Sequence, residues 1–318
     1  MNFFSFIKKY AMFTVLVVIF IVFSIATPAF LQVSNLLDLT RQASMLGVAA
    51  VGMTFVVLLG GIDLSIGSQI SMINVVTAFL MVSGGVNPWL ACLVGLLMTT
   101  LTGFLNGWIV ANIGIPAIIV TLATQIILQG AAYKICGGLP IYGFPANFAI
   151  VGQGYLWIIP IPVIIMIVVF LLGSFALNKT YFGRYFYAVG GNEEASRLSG
   201  IKIKGIKYLA YTLSGFFAGV AGIVMLSRTN SAQPIAGQGF EFDALTAAIL
   251  GGVSITGGSG KISNVVAGTL ILGILTNGFV LLNIDSYTQM IIKGIVLLLA
   301  VGYDCLQKRG KAKTAAAA

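Results

Sequence analysis

Asp63 is the one acid between two long apolar runs, and it lies in the segment GGIDLSIG, Gly60 to Gly67. An ionisable group at membrane depth is costly unless paired or wet, so its position needs a chemical reason. Two readings are open. With Gly61, Ser65 and Gly67, the carboxylate would form a hinge or gate, fixing a non-helical connection by accepting backbone N–H bonds. Alternatively it caps the next helix in the headgroup zone, with Ser65 assisting. A second glycine-rich segment, GGVSITGGSGK from Gly251 to Lys261, has the composition of a phosphate loop. Walker A requires G-x-x-x-x-G-K-[ST], yet counting back from Gly260 and Lys261 puts Ile255 at the first glycine and Ile262 at the Ser/Thr. The pattern fails, which leaves the chain without a nucleotide site of its own. Gly251, Gly252, Gly257 and Gly258 then read as a flexible turn or hinge.

The sequence holds no histidine, which removes imidazole as ligand, nucleophile partner or proton shuttle; a carboxylate could still couple protons. Cys92, Cys136 and Cys305 show no metal-ligand spacing, and their odd number argues against a disulfide framework. No catalytic, metal or cofactor residues are expected. Asn74, Asn106, Gln125 and Gln129 lie inside apolar segments, where neutral amides bond helices together or line a route for a polar solute. Asn74, Asn106 and Gln125 are the candidates for that route.

The elements that must position these groups follow from composition. With 58% hydrophobic and 8% charged residues, the chain falls far from the soluble balance. Apolar runs of about 20 residues predict an all-α polytopic membrane helix bundle, and their continuity argues against a barrel. Ten segments are expected, some re-entrant or broken, in a single domain over residues 1–318: Ala11–Thr27, Ala43–Leu59, Ser68–Val82, Trp89–Val110, Ile115–Ile135, Pro160–Leu177, Tyr208–Leu226, Leu245–Ile255, Val265–Leu282 and Met290–Tyr303. The basic, apolar start could also be read as a signal peptide, but no A-x-A site follows and a retained first span is expected. Leu245–Ile255 is short and glycine-rich enough to be re-entrant. Arg228 to Asp243, with Glu241 and Asp243 at its end, reads as an external loop that meets a partner or merely connects. LGGIDLSIGSQISMINVV and LGGVSITGGSGKISNVV are alike to the eye, through an internal repeat or through chance.

A net charge of +9 would suggest nucleic acid in a soluble protein, but here the cations cluster beside apolar runs and topology explains them without such a partner. Lys8 and Lys9, then Lys179 to Lys207, then Lys308 to Lys313 mark three cytoplasmic segments, including both termini. Arg41, Lys134, Arg228 and Lys261 lie outside these clusters. The middle one contains a polar island, Gly183 to Lys207, which reads as a short helix on the membrane surface. Asn192 is its N-cap, Glu193 and Glu194 complement its positive end, and Gly200 closes it in the left-handed conformation.

Taken in order, GGIDLSIG at Gly60, AVGGNEEASRLSGI from Ala188 and AAILGGVSITGGSGKI from Ala247 resemble the permease family of ribose-type sugar ABC importers. The resemblance spans essentially the whole chain. It implies a ten-helix bacterial inner-membrane subunit that pairs with a second permease, a copy of itself or a paralogue. Such a subunit receives sugar from a periplasmic binding protein and is driven by a separate cytoplasmic ATPase. It also implies that loop 183–207 holds the helix that docks on the ATPase, through Gly190, Asn192, Ala195, Ser199 and Gly200, with Glu193, Glu194 and Arg197 as polar contacts. The expected function is monosaccharide import by alternating access, without covalent chemistry. The alternatives are an ion-coupled transporter using Asp63, a related permease for nucleosides or branched-chain amino acids, and an intramembrane enzyme.

Overall fold

Helix starts are written plainly in the chain. Asn87 accepts a hydrogen bond from Trp89 N at 3.0 Å and Pro88 occupies the first helical position, where a missing N–H costs nothing. The computed structural model describes residues 11–316, and among them are thirteen α-helices and one small hairpin. They are α1 (Ala11–Ala26), α2 (Val33–Leu58), α3 (Ile66–Val82), α4 (Pro88–Asn112), α5 (Ala117–Cys136) and α6 (Ile150–Gln153), followed by the antiparallel strands β1 (Tyr155–Leu156) and β2 (Ile159–Pro160). After these come α7 (Ile161–Lys179), α8 (Tyr181–Gly191), α9 (Glu193–Leu198), α10 (Ile203–Thr229), α11 (Phe240–Leu250), α12 (Ile262–Leu281) and α13 (Ser286–Ala316).

Seven helices, α2, α4, α5, α7, α10, α12 and α13, are long and apolar enough to cross a membrane, while α1 and α3 are shorter apolar helices. The 11 residues of α11 reach about 17 Å, roughly half of a hydrocarbon core. The core is built around α2 and α10, whose apolar stretches are 89% and 67% buried. Phe55 of α2 stacks on Phe217 of α10 and meets Phe186 of α8 edge-on. By contrast, α5 buries only 17% of its apolar stretch and α13 none.

Two expectations need correction. The second span was expected from Ala43, but α2 already begins at Val33. Polar residues of the stretch Gln32 to Gln42, between the two expected spans, are satisfied within the fold: Asn35 exchanges hydrogen bonds with Asn277 of α12, and Asp38 pairs with Arg41 at 3.0 Å. Likewise Arg228 to Asp243 is more than a solvated connection. It folds inward, with Ala232 and Gly237 buried, and its backbone groups find partners there. Ala232 bridges Ile141, Gly237 N donates to Ser71 Oγ at 2.9 Å, and the Pro234 carbonyl accepts from Gln129.

Contacts fix which ends lie together. Gly258 N donates to the Leu58 carbonyl at 2.9 Å, and Gly190 packs on the same carbonyl, so α2 ends beside α8. Asp304 of α13 accepts from Ser254 Oγ at 3.0 Å, which brings the later half of α13 to this end. The contact of Phe23 with Phe279, and that of Asn35 with Asn277, lie at the opposite end. Hence α1 starts and α13 finishes on the α8–α9 side. Lys8 and Lys9, one of the three expected cytoplasmic clusters, lie outside the described residues.

Candidate coupling helix and translocation site

The polar island folds as two helices and the start of a third. Thr180 caps α8 at Gly183 N, and α8 lays Gly183, Phe186 and Val189 on the bundle while Tyr181, Phe182 and Tyr185 stay exposed, as suits an interfacial helix. Asn192 breaks the run: its side chain accepts from Ala195 N at 2.9 Å and starts α9. The helix ends in a Schellman motif, with Gly200 at φ +81, Gly200 N on the Arg197 carbonyl and Ile201 N on the Ser196 carbonyl. Ser199 donates to the Ala195 carbonyl at 2.9 Å. Glu194 pairs with Arg197 at 2.6 Å, raising the pKa of that guanidinium through the hydrogen bond first and charge attraction second. Glu193 pairs with Lys207 of α10 at 2.7 Å and ties α9 to the bundle. Leu198, 79% exposed, is a large apolar side chain that nothing among the described residues covers.

Beneath α9, three segments meet almost backbone to backbone. A Cβ on Gly190 would overlap the Leu58 carbonyl oxygen, and one on Gly257 would lie 2.8 Å from the Gly190 oxygen and from Gly60 N. Gly258 packs on Gly191, and Tyr187 Oη donates to the Gly260 carbonyl at 2.8 Å. The two look-alike segments at Leu59 and Leu250 therefore meet each other here, each linking one helix end to the next start. Gly251 packs on α12 at Val265, and Gly252 takes φ +78.

Past this seat the chain re-enters the bundle at Asp63, which is 0% exposed. Its Oδ1 accepts from Ser65 N at 3.0 Å and Ser65 Oγ at 2.5 Å, and its Oδ2 from Ser214 Oγ of α10 at 2.7 Å. Ser65 Oγ in turn accepts from Gln69 at 2.7 Å and from Asn106 at 3.1 Å, and Asn106 accepts from Thr124 of α5 at 2.6 Å. One hydroxyl thus uses its donor and both lone pairs to join α3, α4 and α5 to the break. Gly61 packs against the Tyr211 hydroxyl. Asp63 thus fixes the non-helical connection and accepts a backbone N–H just before α3 begins, so it serves the break and the helix start together.

The expected route residues separate. Asn74 is buried and donates to the carbonyls of Ile70 and Gly222, joining α3 to α10. Asn106 belongs to the Asp63 network. Gln125 lines a cavity of about 520 Å³ with Ser68, Gln129, Tyr133, Gln238 and Glu241. Here the start of α3 meets the start of α11, with Gly67 against Gly237 and Glu241. Gln125 Nε2 donates to Glu241 Oε1 at 3.0 Å. Glu241 is 2% exposed, and reading it as part of an external loop missed it; a carboxylate heading an apolar segment too short to span was the available signal. Lys293, inside the last apolar run, also went unremarked and pairs with Asp243 at 2.7 Å, fastening α13 to α11.

Comparison with known proteins adds an independent line. The family described as the permease component of branched-chain amino acid transport systems matches residues 35–301. The chain is 41% identical over 299 residues to the ribose import permease of Bacillus subtilis (strain 168), covering 93% of this chain and 92% of that one. To the ribose import permease of Escherichia coli (strain K12) it is 43% identical over 293 residues, 91% of each chain. To the L-arabinose transport system permease of the same strain it is 39% identical over 303 residues, 95% of this chain and 92% of the other. No solved structure matches the chain. The chain therefore belongs to the family of transport-system permease components that includes the ribose import permeases.

Proposed function

We propose that the chain is the transmembrane permease subunit of an ATP-driven importer of a monosaccharide. The observation that carries this reading is identity of about two residues in five with ribose import permeases over nine-tenths of both chains. The subunit sits in the bacterial cytoplasmic membrane with ten segments, six before α8–α9 and four after, and with both termini on the cytoplasmic side. It pairs with a second permease, takes sugar from a periplasmic binding protein, and is driven by a separate ATPase that docks on α9.

The geometry supports a mechanical role for α9. It is capped at both ends, pinned by Glu193 to Lys207, and presents Leu198 outward as an anchor for a partner groove. Force applied to α9 reaches the seat at Gly190, where the Leu58 carbonyl at the end of α2 and the Gly257–Gly258 turn meet it through backbone atoms, with no side chain between them to yield. These segments lead directly to the Asp63 break before α3, and through Gly251 to α11, so the two half-way helix starts beside the cavity move with the seat. Packed interfaces of this kind switch between discrete arrangements, which is what alternating access requires.

The test is sugar uptake by cells making the protein, with ion gradients collapsed and ATP maintained. Uptake persists if ATP drives it. Loss of uptake under those conditions would refute the ATP-driven reading in favour of ion coupling through Asp63.

A further inference from the structure

The cavity between α3, α5 and α11 carries a group that packing alone does not explain. Glu241 is a carboxyl inside a membrane protein, 2% exposed; Gln125 and the backbone N–H groups of Gly239 and Glu241 act on it, yet its Oε2 is buried without a hydrogen-bond partner. Gly67 lacks the side chain that would fill the place Oε2 occupies, so the backbone has made room for it. Ionisable groups at this depth are kept where they meet a solute or a partner. The cavity of about 520 Å³ lies within the size range of small-molecule sites.

We propose that Glu241 and Gln125 form a hydroxyl-reading subsite for an uncharged, polyhydroxylated solute; this deepens, and rests on, the reading of the chain as a monosaccharide permease. A carboxylate accepts from two neighbouring hydroxyls at once, and an amide both donates and accepts, so the pair recognises a diol. When sugar arrives, its hydroxyls take the place of the Gln125 N–H on the carboxylate, and Ser68, Gln129 and Gln238 offer further polar contacts. The tyrosine ring of Tyr133 supplies an apolar wall. No lysine or arginine lines the cavity. An amino acid could set its ammonium on Glu241 but would leave its own carboxylate in the same cavity without a lysine or arginine to meet it, whereas an uncharged polyol carries no such second charge.

The experiment is uptake at saturating solute in cells whose own copy is replaced by Glu241→Gln or Gln125→Asn, normalised to the amount of chain in the membrane. The probes are D-ribose, L-arabinose, D-allose, D-xylose and L-leucine. Loss of a hydrogen bond to a charged group predicts that uptake of the best sugar falls about tenfold. The ratio between the two fastest sugars should also shift at least about threefold in both variants, because removing a hydroxyl reader affects sugars unequally. A merely structural role would slow every sugar alike, so an unchanged ratio in both variants overturns the subsite whatever the absolute rates. Wild-type uptake of leucine and of no sugar would instead overturn the permease reading on which it rests.

Discussion

Gly190 and Gly191 are neighbours with opposite surroundings. A Cβ at Gly190 meets the Leu58 carbonyl and lies 2.6 Å from Gly258 N, whereas one at Gly191 meets nothing within 4 Å. Gly190→Ala should therefore push α8 off its seat, costing at least the roughly 1–3 kcal/mol of an overpacked core and lowering uptake tenfold or more. Gly191→Ala should leave uptake near wild type, so equal behaviour of the two in an uptake assay would remove the seat from the mechanism. Asp63 offers a second residue-scale test. Asp63→Asn keeps an oxygen for Ser65 and can pair with Ser214 by turning its amide, while Asp63→Leu strands both hydroxyls. The leucine variant should lose at least about 1–3 kcal/mol more stability than the asparagine variant, read from thermal melting in detergent. If Asp63 instead coupled an ion, the asparagine variant would melt normally and transport nothing.

At the scale of elements, α9 divides its side chains between those that hold it to the bundle and those that face outward, where the ATPase is proposed to dock. Glu193 and Ser196 face the bundle through Lys207 and burial, while Leu198 and the Glu194–Arg197 pair face outward. Leu198→Glu should thus abolish co-purification of the ATPase while the solubilised permease keeps its melting temperature. Asn192→Ala removes a cap and should weaken co-purification less, by about 1 kcal/mol. Retention of the ATPase by Leu198→Glu would move the docking surface elsewhere. The caps of α9 were legible in the sequence because Asn192 and Gly200 act on backbone groups within three to five residues. The start of α2 was not, since Asn35 is satisfied by Asn277 across the bundle, and a polar stretch paired at long range looks like a loop in one dimension. Glu241 stayed hidden for the same reason: nothing local says that Gly239 turns the chain inward, or that Gln125 waits there.

Across the whole molecule, the helix ends sort into two sets without reference to charge. The seat at Leu58, Gly190 and Gly258 and the Ser254–Asp304 contact define one end, and the Asn35–Asn277 and Phe23–Phe279 contacts define the other. The hairpin turn between β1 and β2 precedes α7, whose far end leads into α8, so Trp157 stands at the end opposite Leu198. We propose from the basic clusters, by the positive-inside bias, that the Leu198 end is the cytoplasmic one, an argument independent of packing. The two arguments agree on which ends go together, and only the bias says which end is inside. Trp157 is 95% exposed and Leu198 79%, so cysteines there should both react with a thiol reagent in opened membranes. In intact cells whose outer membrane has been made permeable, a charged reagent should label Trp157→Cys within minutes and leave Leu198→Cys unlabelled. Labelling of Leu198→Cys alone would invert the topology, and with it place α9 beyond the reach of any cytoplasmic ATPase. Because native Cys305 is exposed near the Leu198 end and Cys136 is half-buried at the end of α5, the assay needs a background in which both are serine.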